Sequence, residues 1–257
     1  MVNLGLAESR ARATALVLAG SVAVNGQAAT KPGKPVSEAD TVEVKKAARF
    51  VSRGGEKLLA ALERWPVDLA GRVCLDVGAS TGGFTDCLLQ HGAALVYAVD
   101  SGTNQIDARL RSDARVVVRE QTNARYLEAA LFDPRPDFAV ADVSFISLRV
   151  IAAAVARVLT GEALWYALVK PQFEAGPALV GKGGVVDPAH HRSVVGEVLR
   201  DLGTQGWTCE GLMVSPVPGL KKGNVEYLAR LRWQSHASTP EATAWDEGVF
   251  PPAAPVD

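Results

Sequence analysis

The stretch DVGASTGGFTD, Asp76 to Asp86, has the shape of a nucleotide-binding loop without the spacing of the commonest one. A dinucleotide fingerprint reads G-x-G-x-x-G after a strand, whereas this loop runs Gly78, Ala79, Ser80, Thr81, Gly82, Gly83. It is not a Walker loop either, because the Lys-Ser/Thr pair that reaches phosphate and magnesium is absent. The apolar run VCLDVG before it reads as a strand and FTDCLLQHG after it as a helix, with small residues between them that let a ligand approach the backbone closely. Asp76 would repel a diphosphate but attract a ligand carrying an ammonium and a sulfonium. Asp100 closes the next strand, 24 positions later, where a carboxylate can accept both hydroxyls of an adenosine ribose. S-adenosyl-L-methionine has all of these features and is the expected cofactor.

Outward from the loop, strands alternate with helices. ALVYAVD is a strand followed by a basic loop; then come strand DFAVADVS, helix SLRVIAAAVARVL, strand ALWYALVKP and helix AHHRSVVGEVLRDLG. Near-continuous apolar strands between helices predict a parallel sheet covered on both faces. WTCEGLMVSPV and EYLARLRW follow each other without a helix and should be antiparallel. The expected class is α/β, a Rossmann-like methyltransferase sheet, mostly parallel with an antiparallel terminal strand. In such sheets ligands bind outside the carboxyl ends of the strands. Asp142 and Lys170 both stand at such ends and are functional candidates on position alone.

Composition restricts the remaining possibilities. The chain has 257 residues, 48% hydrophobic and 21% charged, which is ordinary for a globular protein. No apolar run approaches the roughly 20 residues of a membrane span, and the first residues lack the features of a signal peptide, so a cytoplasmic protein with no membrane partner is expected. Cys74, Cys87 and Cys209 are odd in number and set among apolar residues, which predicts buried thiols rather than a disulfide framework or zinc site. Net charge is −1, but residues 1–64 hold ten Lys and Arg against six Asp and Glu, an asymmetry that suggests a polyanion-facing N-terminus.

Residues 1–46 read as a small unit. Ser9 opens a helix that Gly20 stops, VAV meets the hairpin signal Asn25-Gly26, and TVEV supplies another strand. Residues 47–56 read as a joint, residues 57–234 as the main domain, and the Pro/Ala-rich stretch 235–257 as a disordered tail. GLAESRARA and GSVAVNGQAATKPGKPV resemble the alpha-L, or S4-like, RNA-binding domain. That resemblance implies an α+β RNA-binding unit whose usual first helix is missing here.

VSRGGEKL, DVGASTGGFTD, AVDSGTNQ, DFAVADVSFISL, LVKPQFEAG, GKGGVV and GNVEYL, in this order, resemble the TlyA/hemolysin A family of ribosomal RNA 2′-O-methyltransferases, whose catalytic domain is similar to FtsJ-type enzymes. The resemblance implies a Lys-Asp-Lys-Glu tetrad at Lys57, Asp142, Lys170 and Glu226. It implies cofactor contacts from Asp76, Gly78, Ser80, Thr81, Gly82, Gly83, Phe84, Asp100 and Asn123. The implied reaction is methylation of a cytidine 2′-hydroxyl in ribosomal RNA. The resemblance to shorter family forms, carried by the missing helix and the non-helical tail, implies a target in 23S rRNA of the large subunit, with 16S rRNA as the alternative. A non-catalytic RNA-binding protein with the same fold is the rival. Phe145 is a candidate for stacking on a base, and Asn123 is also readable as a turn cap. His190 and His191 point to different faces of a helix, so no metal site is expected. No amphipathic pore-forming segment accompanies the hemolysin name.

Overall fold

The computed structural model describes residues 1–44, 48–219, 224–233 and 249–250. It divides into two compact units, Met1–Arg49 and Phe50–Asp257.

In the first unit, α1 (Arg10–Leu18) is capped by Ser9, whose hydroxyl accepts a hydrogen bond from the Arg12 amide at 3.1 Å, and the turn after it passes through Gly20 at φ +68°. Strands β1 (Val22–Val24) and β2 (Gln27–Ala28) form a two-residue hairpin through Asn25 and Gly26, both left-handed, the geometry that matches strand twist. The Asn25 side chain also accepts from the Thr41 amide at 2.8 Å and so launches β3 (Val42–Val44), which pairs with the other edge of β1.

The second unit opens with α2 (Gly54–Arg64), then β4 (Val73–Val77), α3 (Gly83–Gln90), β5 (Leu95–Val99), α4 (Ala108–Arg111) and β6 (Val116–Arg119). It continues with β7 (Phe138–Ala141), α5 (Leu148–Val158), β8 (Ala163–Val169), α6 (Pro171–Glu174), α7 (Pro188–Thr204), β9 (Trp207–Val214) and β10 (Tyr227–Trp233). Strand order is β6-β5-β4-β7-β8-β10-β9. Neighbours from β6 through β8 are parallel, and β10 runs antiparallel to both β8 and β9. After β4 the chain builds outward through β5 and β6, then returns to place β7 on the other side of β4. That reversal opens a crevice at the carboxyl ends of β4 and β7.

Both faces of the sheet are covered. Ala163, Trp165, Ala167 and Val169 of β8 pack into one core with Ile151, Val155, Val195 and Leu199, while Leu164, Tyr166 and Leu168 pack into the other with Leu58, Leu62 and Leu88. This period-2 division explains why β8 reads as one unbroken apolar run. All three cysteines are buried and none forms a disulfide; burial pushes Cys74 up to about 12 and Cys209 up to about 11, so the thiols of Cys74 and Cys209 are inert packing groups.

Two expectations need correction. The basic loop after β5 contains α4 and the edge strand β6, whose four residues are all only half-buried and which starts after Arg115 and ends in Arg119. The joint expected over 47–56 is shorter, because Phe50 is buried against the α2 core and the helix starts at Gly54. The expected tail 235–257 lies outside the described residues except for Val249 and Phe250, which pack on the core, with the Phe250 ring 5.3 Å from that of Tyr227.

Candidate active site

The β4–α3 loop is fixed by its backbone. The Gly78 and Ala79 amides both donate to the Val99 carbonyl at the end of β5, at 2.8 and 3.1 Å. Gly78 is left-handed, and a Cβ there would lie 2.8 Å from the Asp142 carbonyl oxygen, so the glycine is what lets the end of β7 close against the loop. Ser80 is also left-handed; its amide donates to Asp100 Oδ2 at 2.8 Å, while Asp100 Oδ1 accepts from the Gly102 amide at 2.7 Å. Gly82 starts α3 and faces Leu110. At Gly83 a Cβ would meet Ser52 Oγ at 2.2 Å and the Gly55 amide at 2.8 Å, so the starts of α2 and α3 touch through glycines. These glycines admit neighbouring protein backbone and side chains as much as any ligand.

Beneath the loop lies Asp76, fully buried. Its Oδ2 accepts from Thr85 Oγ1 at 2.6 Å and its Oδ1 has no hydrogen-bond partner among the described residues. Burial pushes the carboxyl up to about 7; the Thr85 hydrogen bond opposes this, and the nearby Asp142 and Asp100 charges reinforce it.

Across the crevice four charged side chains from four elements form a chain. Lys57 from the first turn of α2 has its Nζ 2.6 Å from Glu226 Oε2 and 3.5 Å from Asp142 Oδ2. Lys170, directly after β8, has its Nζ 2.5 Å from Asp142 Oδ1 and donates to Ser144 Oγ at 3.1 Å. Lys57, Lys170 and Glu226 are buried, so two cations and two anions balance out of bulk water. Beyond Asp142, Phe145 is 91% exposed and left-handed at φ +63°, its ring 4.9 Å from Phe173. Glu174 holds the loop behind it by accepting from Ser147 Oγ at 2.5 Å and from the Leu148 amide at 2.8 Å.

A cavity of about 660 Å³ joins the two sides. Lys57, Asp142, Lys170 and Glu226 all line it, and so do Gly78, Ser80, Thr81, Gly83 and Phe84. Asp76, Gly82, Asp100 and Asn123 do not contribute to its wall: the first lies beneath the loop, Gly82 packs inward, and Asp100 braces the loop from behind. Asn123 is exposed and its side chain accepts from the Arg125 amide at 3.0 Å, which is the turn-cap arrangement. Sequence reading missed Ser144, Phe173 and Asn224, which also line the cavity; Ser144 sits two positions after Asp142, and that spacing was its only signal. Among the described residues no cluster of metal-ligating side chains occurs, and His190 is exposed while His191 is buried.

Residues 50–233 match the FtsJ-like methyltransferase family, and residues 1–42 match the S4 domain. The chain belongs to the FtsJ-like methyltransferase family. It is 47% identical over 238 residues to the 16S/23S rRNA (cytidine-2′-O)-methyltransferase TlyA of Mycobacterium tuberculosis, covering 91% of this chain and 88% of that one. A more distant relative, the 23S rRNA (cytidine-2′-O)-methyltransferase TlyA of Campylobacter jejuni, is 32% identical over 181 residues, 70% of this chain and 69% of that one. A crystal structure described as a candidate hemolysin from Lactococcus lactis superposes with a TM-score of 0.74 at 45% identity, covering 79% of this chain and 97% of that one. Among the described residues of this family member, no helix is long and apolar enough to cross a membrane.

Proposed function

We propose that the chain transfers a methyl group from S-adenosylmethionine to a cytidine 2′-hydroxyl of ribosomal RNA, with 23S rRNA as its main substrate. The observation that carries this reading is the convergence of Lys57, Asp142, Lys170 and Glu226 on one cavity with the glycine loop. The cavity suits a cationic cofactor: Asp142 lines it, and the buried carboxylate of Asp76 lies beneath the glycine loop at its edge. When bound, the cofactor supplies an electrophilic methyl on a cationic sulfur. Asp100, which already braces Ser80 and Gly102, retains lone pairs for the ribose hydroxyls, and the exposed edge of the Gly78–Phe84 loop receives the rest.

On the other side, Lys170 Nζ orients the acceptor hydroxyl and, once it has given up its own ammonium proton to solvent, takes the hydroxyl proton as neutral amine while the oxygen–methyl bond forms and the methyl–sulfur bond breaks, a contribution typically on the order of 10²- to 10⁴-fold. Asp142 holds Lys170 at 2.5 Å, and Lys57 ties Asp142 to Glu226, so the constellation is set before substrate arrives. Phe145, exposed at the rim, offers its face to the base of the extruded nucleotide. Exposed Arg10, Arg12, Lys31 and Lys34 on the S4-like unit supply phosphate contacts. The choice of 23S rRNA follows the substrate that both named relatives share. A non-catalytic role is disfavoured because all four charged positions are filled and paired.

The test is methylation in vitro of 50S and 30S subunits from a strain lacking the gene, with 2′-O-methyl sites mapped by mass spectrometry. A cytidine methylated in 50S particles supports the reading. Methylation of 30S particles alone overturns the subunit assignment, and a base methyl instead of a ribose methyl overturns the reaction.

A further inference from the structure

One wall of the cavity is a short strap. Val180 and Val186 form an antiparallel bridge, the Gly181 amide donates to Val185 at 2.8 Å, and Val180 and Gly184 face the cavity. Its sequence, GKGGVV, is glycine-rich and conformationally permissive, so contacts from outside the strap help to set its place. Among the described residues, Asn224 and His191 make such contacts. Asn224 Nδ2 donates to the Gly184 carbonyl at 3.3 Å, and His191, only 1% exposed in the first turn of α7, has Nε2 3.0 Å from the Val186 carbonyl and Nδ1 2.9 Å from the Tyr227 hydroxyl.

The chemistry of these partners fixes the tautomer. A carbonyl only accepts, so Nε2 carries the hydrogen; Nδ1 is then the acceptor, and the Tyr227 hydroxyl donates to it. The neutral ring thus satisfies both neighbours, and burial favours that state by lowering the pKa of His191. Tyr227 itself directly follows Glu226 and pairs in register with Val169, the residue before Lys170. One imidazole therefore connects the strap to the point where β8 and β10 deliver Lys170 and Glu226.

We propose that His191 is a positioning residue for methyl transfer: its neutral imidazole latches the strap Val180–Val186 to the segment bearing Glu226 and keeps the acceptor side of the cavity in register for the RNA ribose. This rests on the functional reading above. The latch touches Val186 and Tyr227 and none of the residues of the Gly78–Phe84 loop, so it acts on the acceptor side alone.

The experiment compares wild type, Tyr227→Phe, His191→Phe and His191→Gln on 50S subunits from a strain lacking the gene. It measures kcat, KM for subunits, S-adenosylmethionine affinity by calorimetry and Tm. Tyr227→Phe and His191→Phe are expected to lower kcat about 10- to 100-fold, the cost of sub-ångström to ångström misplacement, while cofactor affinity stays at the wild-type value. His191→Gln, whose amide can still donate to the Val186 carbonyl, should recover part of the loss. Should His191→Phe fail to fold, Tyr227→Phe carries the test, since it removes a single oxygen from unchanged packing. Wild-type kcat in Tyr227→Phe overturns the latch, as does a parallel loss of cofactor affinity, which would make the contact a general support of the fold. A wild-type protein that methylates neither subunit overturns the functional reading and this inference with it, a result distinct from active wild type with unaffected variants.

Discussion

The two sides of the crevice are built on opposite plans. On the loop side the backbone does the work: glycines, amides bonded to Val99 and Asp100, and one buried carboxylate, Asp76, left half-satisfied. On the tetrad side charged side chains from α2, from just after β7 and β8 and from just before β10 satisfy one another through contacts of 2.5 to 3.5 Å. A paired set of charges is already oriented without a ligand; a buried oxygen with no partner is a group whose desolvation a ligand can compensate. The contrast suggests that binding strength resides on one side and turnover on the other.

The largest expected effect tests that separation. Lys170→Ala should reduce methyl transfer by about 10²- to 10⁴-fold while leaving cofactor affinity unchanged in calorimetry. Lys170→Arg keeps the charge but cannot become a neutral base; near-normal turnover in that variant would replace proton transfer by electrostatic positioning. Loss of cofactor binding in both variants would erase the distinction between the two sides.

The next effect is on stability. Lys57→Ala leaves Glu226 buried without its partner and should cost about 3 to 5 kcal/mol in denaturant unfolding. The double variant Lys57→Met, Glu226→Leu should recover most of that cost while remaining inactive. If the single and double variants are equally destabilised, pairing is not what holds this side together.

On the loop side Asp100→Asn should weaken S-adenosylmethionine binding by about 1.5 to 3 kcal/mol, with kcat at saturating cofactor close to wild type. An affinity equal to wild type would remove the ribose contact from Asp100 and leave it the bracing role that Ser80 and Gly102 reveal.

The smallest effect belongs to Asp76. Its folded value of about 7 lies above the ordinary 3.8, so the native state holds this proton more tightly than the unfolded chain. Its contribution to stability is therefore complete below the unfolded value and is lost as pH rises through about 7. A cationic ligand favours the ionised form, so cofactor affinity should fall by at most about tenfold per pH unit below 7. Asp76→Asn should flatten both profiles; an unchanged affinity profile in that variant would assign the dependence to another group.

Much of this was legible in the chain because it rests on local patterns. Apolar runs at strand length, the hairpin at Asn25-Gly26, the Ser9 cap and the loop from Asp76 to Asp86 each encode their own geometry within a few residues. The edge strand β6 escaped because half-buried valines among arginines carry neither an unbroken apolar run nor a clean alternation. Asp142 and Lys170 announced themselves by standing at strand ends, but Lys57 and Glu226, 169 positions apart, look like surface charges until the fold brings them to 2.6 Å. The same holds for Gly83, whose missing side chain is required by α2, and for His191, which finds Tyr227 36 positions away. The sequence alone determined the elements, their order and the loop chemistry, because those depend on neighbours along the chain. Only the tertiary structure decided which charges pair, which glycines admit protein and which polar group is left unpaired, because those depend on what the sheet carries into contact from distant positions.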